Sequence, residues 1–314
     1  MPDWLLERGI GESRAVRIVD GEIVESRIFL NGFTRAGALL KARLKAVGPP
    51  TVAEVGGQEY LLPKGAKGVS EGAGLIIQVT RETIPGSEPW KRPLAVAADE
   101  GARPPPDIDA EILAFPAPTD RLGNAGWWDL IDQVRSGLVR FVGGELRISP
   151  TPAMTLIDVD GYLPPDELAI AGAREAARAI LRLDIGGSIG IDLPTSGSKA
   201  ARQQAGAAID AVLPQPFERT AVNGFGFVQI VRPRLRASLI ELAQDRAPFE
   251  ARALLRRIAF EPAGPKRIVA HRAVAAVLEA RADWLGELSR QAGGAIELRA
   301  DPNLPMSAGY AESL

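Results

Sequence analysis

The fold of this chain is decided by residues 154–192, which read MTLIDVDGYLPPDELAIAGAREAARAILRLDIGGSIGID. The segments MTLIDV and SIGID are short apolar runs, and each predicts a buried strand. Between them, alanines at helical spacing predict a helix that Gly186-Gly187 ends. A strand, a helix and a second strand of this length make one crossover unit, in which the two strands run parallel.

Two carboxylates stand at the ends of these strands. Asp158 and Asp192 are 34 residues apart, and Asp160 follows the first of them. Because parallel strands bring their carboxyl ends to one edge of a sheet, we expect these acids to meet there. Mg²⁺ prefers one or two carboxylates, several waters and phosphate oxygens, so the acids are candidate metal ligands. Acids at strand ends are also typical of helix and turn caps, and both interpretations stay open.

The α/β pattern continues on both sides of this unit. Upstream, GGELRIS predicts a strand that pairs with MTLIDV, and a helical apolar face precedes it, formed by Trp127, Ile131, Val134, Leu138 and Phe141. Downstream, a helix over 197–212 is predicted, with Thr195 or Ser196 as its N-cap, and FERTAV and FGFVQIV predict a strand pair. Helices at about 246–259 and 271–290 then alternate with strands at RIVA and AIELR. The predicted class is α/β, in an α+β arrangement of several subdomains.

The beginning of the chain is rich in predicted strands. Asp20-Gly21 suits the tight turn of a hairpin. Four further runs, ALLKARLKAV, TVAEV, QEYLL and GLIIQVTRET, are separated by Gly and Pro and predict a small barrel. Five prolines within 98–120 then predict a linker.

Composition excludes several kinds of chemistry. With 0 Cys and 1 His, the chain has no means for disulfides, structural zinc clusters or Cys nucleophiles. The lone His271 reads as a helix-start or core residue. No apolar run approaches the roughly 20 residues of a membrane span, and acids replace the basic start of a signal peptide. We therefore expect a soluble cytoplasmic protein that does not bind membranes.

A local excess of positive charge follows Asp192, although the whole chain has a net charge of −2. Residues 197–240 carry six cations against two acids. Guanidinium groups bind phosphates and exposed aromatic rings stack on unpaired bases, which indicates a nucleic-acid surface. The candidate residues are Lys199, Arg202, Asn223, Phe225, Arg232, Arg234 and Arg236. Phe227 is predicted to lie in the core instead.

The segments GGELRISPTPAMTLIDVDG, EAARAILRLDIGGSIGIDL and AVNGFGFVQIVRPRLRASL, in this order, resemble the ribonuclease E/G family and its G branch most. The resemblance is strong over about 143–240. It implies an endoribonuclease that uses Mg²⁺ or Mn²⁺ to activate water against single-stranded RNA. Asp158 and Asp192 would be its metal ligands, and Asp160 stands where the family has an Asn. In an implied shortened S1-like barrel, Tyr60 would stack on RNA and Lys91 would contact it.

The resemblance also implies an organisation and two losses. The implied organisation begins with an N-terminal hairpin over 1–35, which packs with 107–142, and with the barrel over 36–97. The linker follows, then a catalytic subdomain over 143–240 and a small C-terminal α/β subdomain over 241–314. The cysteines of the family's zinc link and its 5′-end sensor segment are missing. A monomer or a dimer without zinc is therefore expected.

Two other functions remain open from the sequence. The same features suit a non-catalytic RNA-binding protein derived from this family. They also suit a small-molecule phosphohydrolase that uses the same carboxylates.

Overall fold

The computed structural model describes residues 3–85 and 91–314, so residues 86–90 of the predicted barrel range lie outside it. The chain is a mixed α/β protein that divides into two compact units. One unit consists of Met1–Gly32, Asp109–Trp128 and Leu242–Leu314. The other, called here the carboxylate unit, consists of Phe33–Ile108 and Asp129–Glu241.

The elements alternate between strands and helices after a β-rich start. The strands are β1 Trp4–Arg8, β2 Glu12–Val19, β3 Glu22–Leu30, β4 Leu39–Ala46, β5 Val52–Val55, β6 Gln58–Leu61, β7 Gly74–Arg81, β8 Leu94–Ala98, β9 Ala110–Leu113, β10 Leu138–Phe141, β11 Gly144–Pro150, β12 Thr155–Gly161, β13 Gly187–Asp192, β14 Glu218–Arg219, β15 Phe227–Arg232, β16 Lys266–Ala270, β17 Ile296–Ala300 and β18 Tyr310–Ser313. The helices are α1 Arg121–Asn124, α2 Trp127–Ser136, α3 Pro165–Arg182, α4 Lys199–Asp210, α5 Leu239–Gln244, α6 Arg246–Ala259, α7 Arg272–Glu279 and α8 Ala282–Ala292.

The carboxylate unit contains a six-stranded sheet in the order β10-β11-β12-β13-β15-β14. Helix α3 follows β12 and buries a stripe of alanines and other small residues. At Gly172 the helix lies so close to β12 that an added Cβ would collide with Val159. This close packing fixes α3 on one face of the sheet and leaves the side chains of the other face pointing away from it.

This contact predicts opposite effects for two helical glycines. Gly172→Ala forces a methyl group into Val159 and should lower the free energy of unfolding by about 1–3 kcal/mol. Gly286→Ala in α8 meets only the flexible end of Arg290, at 3.7 Å, and should raise it by about 0.5–1 kcal/mol. Urea unfolding of both variants measures the difference. A stabilised Gly172→Ala protein would contradict the close packing.

The same unit contains a closed five-stranded barrel in the order β4-β5-β6-β8-β7. Its core is built from small and medium apolar residues and one tyrosine: Ala38, Ala42, Ala53, Tyr60, Leu62, Ile77, Val79 and Ala95. The barrel is joined to the region that follows β15. The backbone N–H of Glu82 donates to the carbonyl of Leu235 over 2.8 Å. The half-buried Arg236 guanidinium pairs with Asp184 at 2.8 Å and with Glu82 at 3.5 Å.

The other unit contains two sheets. The first has the order β3-β2-β1-β9, in which β9, from within the proline-rich segment, runs parallel to β1. The hairpin turn predicted at Asp20-Gly21 is confirmed, with φ of 52° and 84°. The second sheet has the order β17-β16-β18, and an apolar cluster from α6, α7 and α8 packs in this unit.

Five buried charged side chains and the half-buried Asp120 form an ion cluster in this unit, called here the buried ion cluster: Glu7, Glu12, Arg14, Asp120, Arg252 and Arg256. Arg256 is fully buried; it donates to Glu7 over 2.9 and 3.0 Å and to Asp120 over 2.6 and 3.1 Å. Arg14 donates to Glu7 and Glu12, each over 2.9 Å. Arg252 donates to Glu12 over 2.8 Å. Three acids and three arginines balance, which is what burial of ions requires.

The cluster should make this unit sensitive to acid. Burial alone would raise the pKa of Glu12, but Arg14 and Arg252 outweigh it and hold the pKa below its ordinary 4.5. A carboxyl whose pKa is lowered on folding stabilises the protein above its unfolded pKa, and that stability is lost as pH falls through the folded pKa. We therefore expect the free energy of unfolding to decline below about pH 4.5, measured by urea titrations. Glu12→Gln should weaken this dependence, and an unchanged acid profile in that variant would exclude Glu12 as its source.

Several predicted helix boundaries are wrong, each for a local reason. The predicted apolar face over 127–141 spans two elements: Gly137, with φ of 70°, ends α2, and Leu138 and Phe141 lie in β10. The helix predicted over 271–290 is α7 and α8, separated at Arg281, which leaves helical geometry and pairs with Asp283 at 2.7 Å.

Two predictions beside the carboxylate strands are also corrected. Helix α3 ends at Arg182, before Gly186-Gly187; Asp184 takes the left-handed conformation, and Gly187 begins β13. The N-cap of α4 is Ser198, whose hydroxyl accepts from the N–H of Ala201, and neither Thr195 nor Ser196 caps the helix. Within the part of the chain that the structure describes, no helix is both long and apolar enough to span a bilayer.

Candidate functional site

The two predicted strand-end carboxylates meet on neighbouring strands. Strands β12 and β13 are parallel, and Asp158 lies directly opposite Asp192 in their register. Neighbouring strands are about 4.8 Å apart, so the two side chains leave the sheet side by side. The prediction that both acids meet on parallel strands is confirmed. Asp192 ends β13 as predicted, but Asp158 does not end its strand, because β12 continues to Gly161 along β11.

Both carboxylates lie on the open face of the sheet, the face turned away from α3. In β12, Ile157 and Val159 are buried, whereas Asp158 and Asp160 are exposed. Asp192 is likewise exposed at the end of β13. The helix-cap interpretation does not hold, because the residues at the N-cap positions of α3 and α4 are Pro164 and Ser198. The acids therefore remain available to a ligand.

The electrostatics of the site favour a bound cation. Partial burial and the negative charges of Asp160 and Asp192 raise the pKa of Asp158, against the opposing effect of Arg147. Arg147 lies opposite Asp158 in β11; it pairs with Glu145 at 2.7 Å and approaches Asp160 at 3.9 Å. Like charges on adjacent strands cost free energy that a divalent cation would recover.

The donor set fits Mg²⁺ but is small. Among residues 3–85 and 91–314, no group of three or more His, Cys, Asp or Glu side chains is arranged to hold a metal ion. Mg²⁺ nevertheless usually takes only one or two carboxylate ligands from a protein, and waters and substrate phosphates complete its coordination. Asp158 and Asp192 supply these two carboxylates, and Asp160 is two residues after Asp158 on the same face.

A substitution at Asp160 tests this electrostatic description. Asp160→Asn removes a negative charge from beside Asp158, and we expect the pKa of Asp158 to fall toward its ordinary value. Carboxyl-carbon NMR titration without divalent ions measures this directly. Asp132→Asn, an exposed change in α2, provides the control and should leave the Asp158 titration unmoved. An unchanged pKa in Asp160→Asn would show that the two charges do not interact.

Lys199 and Arg202 lie at the beginning of α4, after the loop that leaves Asp192. Lys199 is exposed. Arg202 is half-buried, and its Nη1 donates to the carbonyl of Ser196 over 2.7 Å. The hydroxyl of Ser196 in turn donates to Asp166 in the first turn of α3 over 2.5 Å. These two cations are therefore at the edge of the sheet where the carboxylates lie.

Asn223 and Phe225 lie in the turn before β15, at the same edge. The side-chain oxygen of Asn223 accepts from the N–H groups of Phe225 and Phe227, at 2.9 and 3.0 Å, so it shapes the turn. The Phe225 side chain is 81% exposed, and its carbonyl accepts from Thr195 over 3.2 Å. The predicted exposure of Phe225 is confirmed. Asn223 is committed to backbone bonds.

Arg232, Arg234 and Arg236, which the sequence predicts as RNA-binding residues, do not lie beside the carboxylates. Strand β15 is antiparallel to β13, so Phe227 lies opposite Asp192 whereas Arg232 lies opposite Gly187, about 16 Å along the sheet. Arg232 donates to the carbonyl of Ile185 over 3.3 Å. Arg234 pairs with Glu241, and Arg236 pairs with both Asp184 and Glu82. These arginines bind protein groups at the opposite edge.

The stacking role predicted for Tyr60 is also wrong. Its ring belongs to the barrel core and is only 3% exposed, so it presents no face to a base. Lys91 is half-exposed and lies three residues before β8.

Two residues of the open face, Arg147 and Phe227, were not predicted from the sequence as site residues. Arg147 stands in one row with Asp158 and Asp192, and Phe227 completes that row on β15. Phe227 is not in the core: Val228 and Ile230 of β15 are buried, and Phe227 lies on the opposite face with Asp192. The alternation of buried and exposed positions is the signal that would have found both, once the strand register is known.

Comparison of the chain with protein-family models and with curated proteins gives no match.

Proposed function

We propose that this protein is an endoribonuclease that hydrolyses single-stranded RNA in the cytoplasm with the help of Mg²⁺ or Mn²⁺, as a ribonuclease E/G-like sequence implies. One observation carries the proposal. Asp158 and Asp192 lie directly opposite each other on parallel strands, on an exposed sheet face. This is where α/β sheets place ligand sites.

Asp158 and Asp192 would hold the cation, with Asp160 beside them. The chemistry that a cation held there would supply is polarisation of the scissile phosphate and activation of a water. Such a reaction requires no imidazole, and His271 is used elsewhere: its Nδ1 accepts from the N–H of Ala273 over 3.1 Å as the N-cap of α7.

The RNA would lie across the open sheet face, with contacts at the carboxyl edge. Phe225 is exposed and would stack on an unpaired base, and Lys199 and Arg202 at the beginning of α4 would contact backbone phosphates. The closed barrel, as a shortened S1-like module with Lys91 at its surface, would hold the unpaired strand further along. Paired bases present no free faces, so duplex RNA is expected to be a poor substrate.

One assay tests the proposal directly. A single-stranded RNA oligomer with either a 5′-hydroxyl or a 5′-monophosphate is incubated with the protein in Mg²⁺ or in EDTA. We expect internal cleavage in Mg²⁺ but not in EDTA. We also expect little difference between the two 5′ ends, because the resemblance implies that this chain lacks the family's 5′-end sensor segment.

The rival functions predict other results from the same assay. RNA binding without Mg²⁺-dependent cleavage would indicate a non-catalytic RNA-binding protein. Hydrolysis of nucleotides in preference to the oligomer would indicate a small-molecule phosphohydrolase.

A further inference from the structure

We infer that Phe227, lying across Gly190 on the open sheet face, forms a binding surface for one unpaired nucleobase beside the carboxylates. The inference rests on the proposed function and specifies its substrate further. The subsite would make the sheet itself, and not only the barrel, select unpaired RNA.

The first support is the position of Phe227 in the sheet. Phe227 pairs with Asp192 across β15 and β13, and Asp192 pairs with Asp158 across β13 and β12. Side chains directly opposite each other on neighbouring strands share a face and have Cβ atoms about 5 Å apart. The ring therefore starts one strand away from Asp192 and two strands away from Asp158, on the same face.

The second support is the space left by Gly190. A Cβ added to this residue would lie 2.6 Å from Cζ and 3.0 Å from Cε2 of Phe227. The ring thus leans from β15 over the backbone of β13, where any larger residue would displace it. The same added Cβ would lie 3.0 Å from Cδ2 of Leu156, so the two side chains approach each other above Gly190.

The result is a small apolar floor across three strands. Leu156 on β12 is 39% exposed, and Phe227 is half-buried because the sheet covers one side of it. Next to the floor, Gln229 donates to Ser188 over 3.1 Å and provides a polar border. An aromatic surface bordered by polar groups is the composition that binds a flat ring with polar edges.

A nucleobase is the occupant that this location favours. A phosphodiester at the carboxylates would carry its bases within one nucleotide of the floor, and stacking on an aromatic ring accepts every base. A base inside a duplex has both faces covered by its neighbours, so only an unpaired base fits. Neither the carboxylates nor Phe225 is needed to form this floor.

A cycle of paired changes in protein and RNA tests the subsite. The RNA oligomer carries an abasic residue at each position in turn, and kcat/KM is measured for wild type and Phe227→Ala. At one position next to the cleaved bond, we expect the abasic change and Phe227→Ala each to lower kcat/KM by about 5- to 100-fold, with little further loss when combined. Equal loss by Phe227→Ala on intact and abasic RNA at every position would overturn the inference.

Three variants separate stacking from structure. Phe227→Tyr keeps a stacking ring and should retain most of the activity. Val231→Ala shortens an apolar side chain that is 51% exposed on the same strand and face, opposite Ser188, and should have no effect. Gly190→Ala displaces the ring and should reproduce the loss of Phe227→Ala. Activity in Phe227→Ala equal to that of wild type would overturn the subsite.

A binding measurement distinguishes failure of the subsite from failure of the proposed function. Single-stranded RNA containing 2-aminopurine is titrated with protein in EDTA, where no cleavage is expected. Quenching of the 2-aminopurine by wild type and its loss in Phe227→Ala would support the subsite even if wild type cleaves nothing. Identical quenching by the two proteins would overturn it even if wild type cleaves RNA.

Discussion

Replacing Asp158 or Asp192 with Asn is expected to abolish Mg²⁺-dependent cleavage of single-stranded RNA while leaving RNA binding in EDTA nearly unchanged. The two carboxylates are the two protein ligands of the proposed cation site, so each substitution removes half of the negative charge that these ligands supply. A cation in such a site contributes several kcal/mol to transition-state stabilisation, which corresponds to a loss on the order of 10³-fold in kcat. The measurement is the initial rate on a fluorescent RNA oligomer.

The controls exclude loss of structure and general charge effects. Asn has the shape of Asp, and both side chains are exposed, so thermal unfolding should be unaltered. Glu167→Gln removes an exposed charge from the first turn of α3 and should retain the wild-type rate. A near wild-type rate in either Asp variant would show that these residues do not hold the catalytic cation.

Replacing Arg256 with Leu is expected to destabilise the unit that contains the ion cluster by about 3–5 kcal/mol. The variant leaves the buried Glu7 with Arg14 as its one remaining ion-pair partner among residues 3–85 and 91–314, and it removes the paired bonds to Asp120. It also removes a guanidinium that lies 4.9 Å from the centre of the Phe260 ring and 5.4 Å from that of Trp128. Urea unfolding monitored by tryptophan fluorescence measures the loss.

An exposed ion pair of the same unit provides the matched control. Arg267 pairs with Glu297 at 2.9 Å across β16 and β17, with both side chains partly in water. Arg267→Leu should cost no more than about 1 kcal/mol. If Arg256→Leu costs as little, the buried cluster does not stabilise the fold.

The parallel strand pair and its acids were predictable because they depend on local patterns. The apolar runs before Asp158 and Asp192 and the alanine-rich helix between them determine the crossover, and chain geometry then determines the shared edge. The predicted barrel strands ALLKARLKAV, TVAEV, QEYLL and GLIIQVTRET are confirmed as β4–β7 for the same reason. Strand β8 was not predicted.

The contacts around the acids depend on strand direction and register, which cannot be read from the amino-acid sequence. Arg232 is near Asp192 in sequence, but β15 returns antiparallel to β13 and carries it to the other edge. Phe227 and Tyr60 both read as aromatic residues within strands. Only the faces of the folded sheets show that Phe227 lies with the carboxylates and Tyr60 inside the barrel.

The buried ion cluster also has a consequence for the order in which the chain folds during synthesis. Glu7 and Glu12 are synthesised before Arg252 and Arg256, which emerge from the ribosome about 240 residues later. Until then, Arg14 is the one arginine of the cluster that can neutralise the two acids. Packing the sheet of β1, β2 and β3 into its core at that stage would bury an excess of negative charge. The carboxylate unit ends at Glu241 and meets no such delay, so it is expected to fold first and the unit containing the ion cluster to fold last.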